Sequence, residues 1–92
     1  MLTITNKALS VVRTITVHPT LEESSGLRIA QQRGTRRLGV RAVERPQPGD
    51  VVIEQSGGRV YIGPNAVRRL RGRILDVRRD PKGRAEFLLK AA

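Results

Sequence analysis

The protein is 92 residues long and carries eighteen lysines and arginines against eight aspartates and glutamates, a net charge of +10, with no cysteine. The missing thiols exclude disulfides, a cysteine nucleophile and any thiolate-held zinc or iron–sulfur centre within the chain. Apolar residues make up 38% of the chain, with one Phe, one Tyr and no Trp. The core of the single small domain expected over 1–92 must therefore be built from Val, Leu, Ile and Ala, and at this size it buries roughly 60–65% of the unfolded surface.

Arginine accounts for fifteen of the eighteen basic residues. Such a surface attracts polyanions by charge neutralisation and counterion release; the alternative is a solvated basic face with no partner. No apolar run approaches the ~20 residues that cross a bilayer. The N-terminal MLTITNKALSVVRTI has no basic stretch ahead of a continuous apolar segment, so neither a membrane span nor a signal peptide is expected, and a cytoplasmic location is.

In chain order, the first element predicted is a helix over 5–16. Thr5 or Asn6 can cap its free N–H groups, and Ala8, Val11, Val12 and Ile15 recur at helical spacing. The β-branched residues of this stretch are also acceptable in a strand, but the helix is favoured. His18-Pro19-Thr20 stops the helix, because the residue before proline is pushed out of helical geometry. A polar, acidic surface loop is expected over 21–26. Strand 27–31 places Leu27 and Ile29 on one face, and 33–37 is a polar loop around Gly34. Strand 38–44 is predicted to turn Leu38, Val40 and Ala42 inward. Pro46-Gln47-Pro48-Gly49 is a stiff turn. The β-branched runs 51–54 and 59–62, separated by Ser56-Gly57-Gly58, predict a β-hairpin. Gly63-Pro64-Asn65 then breaks the strand and opens a short helix with Ala66, Val67 and Leu70 on one face. Strand 73–79, the turn Asp80-Pro81-Lys82-Gly83 and strand 85–90, with Ala85, Phe87 and Leu89 on one face, complete the chain. About six short strands and one or two short helices predict an α+β, mainly β fold, a small mixed β-sandwich with helical covers rather than a parallel βαβ fold.

Catalytic chemistry finds little material. His18, the sole histidine, has no second ligand type spaced for metal binding. Ser24-Ser25-Gly26 lacks the strand–turn–helix context of a nucleophile elbow. Asp76 shares a strand face with Ile74 and Arg78 and is expected to be solvated or ion-paired; as a catalytic acid it would need a partner that the sequence does not place. Glu22 and Glu23 fall in a loop, and Glu54 ends a strand. Phosphate-cradling glycine motifs are absent. Without a nucleophile–base pair the chain is not expected to be an enzyme, nor to hold a cofactor or metal.

The positive feature is the arginines. Arg33, Arg36 and Arg37 crowd the loop after the first long strand, and Arg68, Arg69 and Arg71 surround the apolar face of the second helix. If loop and helix face the same way, these six form an anion-binding patch. Arg73, Arg78 and Arg79 follow on the next strand. Tyr61 and Phe87 are the only rings, which counts against domains that stack single-stranded bases. No helix-turn-helix or zinc-finger spacing appears.

Taken together, GLRIA at 26–30, PGDVVIEQSGGRVYI at 48–62, AVRRL at 66–70, ILDV at 74–77 and EFLL at 86–89, after an MLTIT-type opening, resemble the A-type iron–sulfur carriers, the HesB/IscA-like family. The resemblance implies a small, mainly β domain of mixed sheets with one or two short helices. Working members of that family hold iron or a cluster with three cysteines, one in the loop after the GLR strand and two in a Cys-Gly-Cys near the C-terminus. Here the first position falls within 34–37, where Gly, Thr, Arg and Arg stand, and no counterpart of the second pair follows Phe87. The chain is most similar to the cysteine-free, actinobacterial-type branch of the family. The resemblance thus implies a non-catalytic accessory protein of iron–sulfur assembly that binds a protein partner. The charge implies the alternative, a basic module binding nucleic acid or another anion. Oligomeric state is left open by both.

Overall fold

The computed structural model describes residues 2–16 and 24–91. The expectations for His18, Glu22, Glu23 and the helix stop at 18–20 lie outside the described residues. Strand β1 (Thr3–Ile4) leads directly into helix α1 (Asn6–Thr16). Thr5 is the N-cap: its Oγ1 accepts the Ala8 N–H at 3.1 Å, satisfying one of the donors that a helix start leaves free, and its carbonyl accepts the first intrahelical bond, from the Leu9 N–H at 2.8 Å. The apolar positions Ala8, Leu9 and Val12 are buried, with Val11 and Ile15 packed beside them. The helical spacing thus prevailed over β-propensity because this face has a core to cover.

Strands β2 (Gly26–Gln31), β3 (Leu38–Val43), β4 (Val51–Gln55) and β5 (Gly58–Ile62) form one sheet in the order β3-β2-β5-β4. Within it β2–β3 and β4–β5 are antiparallel, and β2–β5 is parallel. The second sheet has the order β1-β6-β7, with β6 (Arg73–Arg79) parallel to β1 and antiparallel to β7 (Ala85–Ala91). Both hairpins are antiparallel, as their turns predict. The first closes through Ser56 (φ 48°) and Gly57 (φ 84°) alone, with Gly58 already in β5. Two positive φ angles in a two-residue loop match the right-handed twist of the strands.

Helix α1 lies against β5 and β2 of one sheet and β6 of the other. Leu2, Ile4, Leu27, Ile29, Val60, Ile62, Leu70, Leu75 and Val77 join the α1 residues in one contiguous cluster that draws on both sheets. Thr16 ties the helix end to β5: its hydroxyl donates to the Val12 carbonyl and accepts the Arg59 N–H at 3.0 Å. Tyr61 is buried and donates its hydroxyl to the Ser24 carbonyl. Among the described residues no helix is long and apolar enough to cross a membrane.

Three expectations change. Among the described residues there are seven strands rather than about six, because Thr3–Ile4 pairs with β6; two residues are too few to show an alternation. The second helix is a 3-10 turn, Arg68–Leu70. Ala66 and Leu70 are buried as expected, but they anchor a single tight turn and not a helix. Ala42 is exposed rather than inward, and Leu38 and Val40 are half-buried. The reason is position: β3 is an edge strand, and α1 covers the central strands β2 and β5. On β7, Phe87 and Leu89 pack against the core while Ala85 is exposed.

A candidate anion-binding site

The loop between β2 and β3 is held by its own polar side chains. Gln32 N–H donates to the Arg37 carbonyl at 2.8 Å, Thr35 N–H to the Gln32 carbonyl at 3.1 Å, and Arg37 N–H to Thr35 Oγ1 at 3.1 Å. Gln31 Nε2 donates to the Thr35 carbonyl at 2.9 Å. With Gln31, Gln32 and Thr35 closing the loop, Arg33, Arg36 and Arg37 are left exposed. Arg68, Arg69 and Arg71 are likewise exposed on the 3-10 turn and just after it, because Ala66 and Leu70 hold the turn to the core. The two groups meet: Arg69 Nη1 donates to the Arg36 carbonyl.

Arg73, Arg78 and Arg79 do not join them. They lie on β6 in the other sheet and are engaged there, Arg73 with the Leu89 and Lys90 carbonyls, Arg78 with Glu86, and Arg79 with the Gly83 carbonyl.

Acidic residues give this end no relief. Six carboxylates lie among the described residues, and each stands in an ion pair: Glu44 with Arg45, Asp50 with Arg28, Glu54 with Arg59, Asp76 with Lys90, Asp80 with Arg84 and Glu86 with Arg78. None of these pairs includes Arg33, Arg36, Arg37, Arg68, Arg69 or Arg71. Six of the eighteen lysines and arginines pair with described carboxylates, and half of the remaining twelve sit together on the β2–β3 loop and the turn it touches.

Arg28 and Asp50 form a pair that sequence reasoning missed. Arg28 Nε and Nη2 donate to Asp50 Oδ2 and Oδ1 at 2.8 and 2.9 Å. The Asp50 side chain is fully buried and that of Arg28 is 11% exposed. Asp50 Oδ2 also accepts the Gln47 N–H at 2.9 Å, so the proline-rich turn is locked beneath β2. The side-on guanidinium bonds, supported by the Gln47 N–H, hold the Asp50 carboxyl below its ordinary range against the opposing effect of burial, and the same bonds raise Arg28. The available signal was the Asp that follows the turn Pro46-Gln47-Pro48-Gly49.

Asp76 also proves structural. It accepts the Thr5 hydroxyl at 2.8 Å, the Val77 N–H at 2.8 Å and Lys90 Nζ at 2.9 Å. These donors, Lys90 first, pull its carboxyl down to about 2, and it joins the α1 cap to β6 and β7. No group of three or more His, Asp or Glu side chains among the described residues could hold a metal.

No family model matches the sequence, and no curated protein does. Solved structures do match in fold. One is IscA with a [2Fe-2S] cluster, at TM-score 0.68 and 20% identity, covering 99% of this chain and 85% of that one. Another is SufA of Escherichia coli, a protein involved in the biosynthesis of iron–sulfur clusters, at TM-score 0.74 and 21% identity, covering 98% of this chain and 84% of that one. The donor set does not fit a thiolate-held cluster: the chain has no cysteine, and the β2–β3 loop offers guanidinium groups, which repel a metal cation instead of ligating it. The chain has the fold of the A-type iron–sulfur carriers IscA and SufA, and it has that fold without a cysteine.

Proposed function

We propose that this is a non-catalytic, cytoplasmic binding protein that uses the carrier fold as a docking scaffold, in an accessory role in iron–sulfur assembly. Its arginine end engages an acidic surface on a protein partner. One observation carries the reading: Arg36 and Arg69 bring two exposed arginine groups together while every described carboxylate is engaged elsewhere. Complementary charge of this kind speeds encounter and selects partners.

The same cations favour a second reading, a nucleic acid backbone held by phosphate contacts. The rings weigh against single strands, since Tyr61 is buried and Phe87 packs on the core, leaving no stacking platform.

Affinity capture from the native cell with the unmodified protein and with Arg36→Glu/Arg69→Glu tests the reading, alongside titration with labelled duplex DNA and single-stranded RNA at two salt concentrations. A stoichiometric protein partner lost in the variant supports docking. Tight nucleic acid binding with a steep salt slope transfers the function to the second reading. Anaerobic reconstitution with iron and sulfide is expected to give no visible cluster absorption, and a stoichiometric cluster spectrum would overturn the scaffold reading.

A further inference from the structure

The geometry points to a second, smaller site: the cleft on the outer face of β2 and β3 takes the phosphoryl group of a small phosphorylated ligand. The cleft has a volume of about 650 Å³, and its lining includes Arg28, Gln32, Arg33, Gly39, Arg41 and Gln47. Ligand pockets are usually of this order.

Its charge arrangement needs an explanation. Arg28 on β2 and Arg41 on β3 stand directly opposite each other in the antiparallel register. Like charges so placed destabilise a sheet. Asp50 neutralises Arg28 from below, where both carboxylate oxygens are occupied and the side chain is fully buried, so it presents nothing to the cleft. Arg41 has no carboxylate partner among the described residues, nor has Arg33. The cleft therefore carries a surplus of two positive charges.

The donors are suited to a tetrahedral oxyanion. Asp50 uses Nε and Nη2 of Arg28, which leaves Nη1 with two N–H donors on a guanidinium already fixed in place. Arg41 offers a fork from the facing strand and Arg33 another from the loop, with the Gln32 and Gln47 side-chain amides as neutral donors beside them. A planar carboxylate is satisfied by one such fork. A phosphate monoester, with close to two negative charges and three acceptor oxygens, matches both the charge surplus and the donors arriving from several directions. Arg33 belongs to both this cleft and the arginine patch, whereas Arg28 and Arg41 belong to the cleft alone.

Titration of the isotope-labelled protein with inorganic phosphate, followed by NMR at the backbone amides of residues 28, 33 and 41, tests it, with sodium acetate and sodium chloride at matched ionic strength as controls. The expected result is saturable, localised shifts with phosphate and none with the controls. Arg41→Gln, on the exposed edge strand, and Arg33→Gln are each expected to weaken phosphate by about tenfold, the loss of a hydrogen bond to a charged group, whereas Arg68→Gln/Arg71→Gln leaves it unchanged. A response that rises linearly with ionic strength, equal saturation by acetate, or equal loss in Arg68→Gln/Arg71→Gln would overturn the assignment. Because the docking test uses Arg36 and Arg69, either proposal can fail without the other.

Discussion

Replacing Asp50 by Asn keeps the side-chain shape and removes its charge. Arg28 is then left cationic, 11% exposed, beside a neutral amide that cannot accept on both arms. Breaking a buried ion pair from one side costs about 3–5 kcal/mol, because the remaining charge stays desolvated without compensation. A domain of this length has a total stability of about 5–14 kcal/mol, so the loss is at least about a fifth of the whole, and Tm should fall by more than about 12 °C. The pH dependence has a definite sign. Asp50 is held below its ordinary carboxyl range in the folded protein, so its contribution is complete above the unfolded value near ~3.9 and disappears as pH falls through the lower folded value. The gap between the unmodified protein and Asp50→Asn should be full at pH 7 and narrow below about pH 4. Urea unfolding followed by far-ultraviolet circular dichroism at both pH values measures it. Arg28→Met/Asp50→Leu should recover most of the loss, since both desolvated charges are removed together. A gap under about 1 kcal/mol at pH 7 would place the pair with exposed salt bridges and refute the clamp, as would a gap that does not change with pH.

Other positions give equally direct tests. A Cβ on Gly26 would stand 2.6 Å from the Arg59 carbonyl oxygen, a backbone atom in the neighbouring strand, so Gly26→Ala should cost about 1–3 kcal/mol by forcing β2 and β5 apart, read as a lower urea midpoint. The Ser25 hydroxyl is fully buried and finds no hydrogen-bond partner among the described residues; Ser25→Ala should stabilise by about 1 kcal/mol, seen as a Tm rise of about 4–8 °C. Thr5→Ala removes the α1 cap, at about 0.5–2 kcal/mol, and also a donor to Asp76, so NMR titration should find that carboxyl raised from about 2. Since Asp76 is depressed when folded, its stabilising contribution is present above its ordinary value of 3.8 and fades as pH falls through about 2.

Elements whose signal is local were legible in the sequence. The cap at Thr5 is written three residues ahead of the N–H it satisfies. The β4–β5 hairpin is written in two β-branched runs and a turn with glycine. The alternation that buries Leu27 and Ile29 extends over a single strand. What could not be read depends on long-range pairing. Strand β1 exists because Thr3 and Ile4 find Ile74 and Leu75, seventy-one residues away in the chain, and two residues carry no periodicity of their own. Ala42 alternates correctly for an inward position, yet alternation cannot tell an edge strand from a central one. The 66–70 segment has the right apolar spacing for a helix, but so short a segment gains too little from helix propagation to extend past one tight turn.

The candidate site divides along the same line. Arginine density was visible in the composition, and the loop at 33–37 and the 68–71 turn could each be named, but their meeting at Arg36 and Arg69 is a tertiary fact. The Arg28–Asp50 pair was invisible for the same reason, being two common residues twenty-two positions apart. That pair also explains how the fold can tolerate so basic a cleft. Asp50 neutralises the one arginine that is nearly buried, where an unpaired charge is expensive, and leaves Arg33 and Arg41 where water screens them. None of the six arginines of the patch is among the core residues: the cluster spanning α1 and both sheets is aliphatic. Stability and charge are therefore supplied by separate residues. That separation leaves the arginine surface independent of the core, and it directs the search for a ligand toward anions.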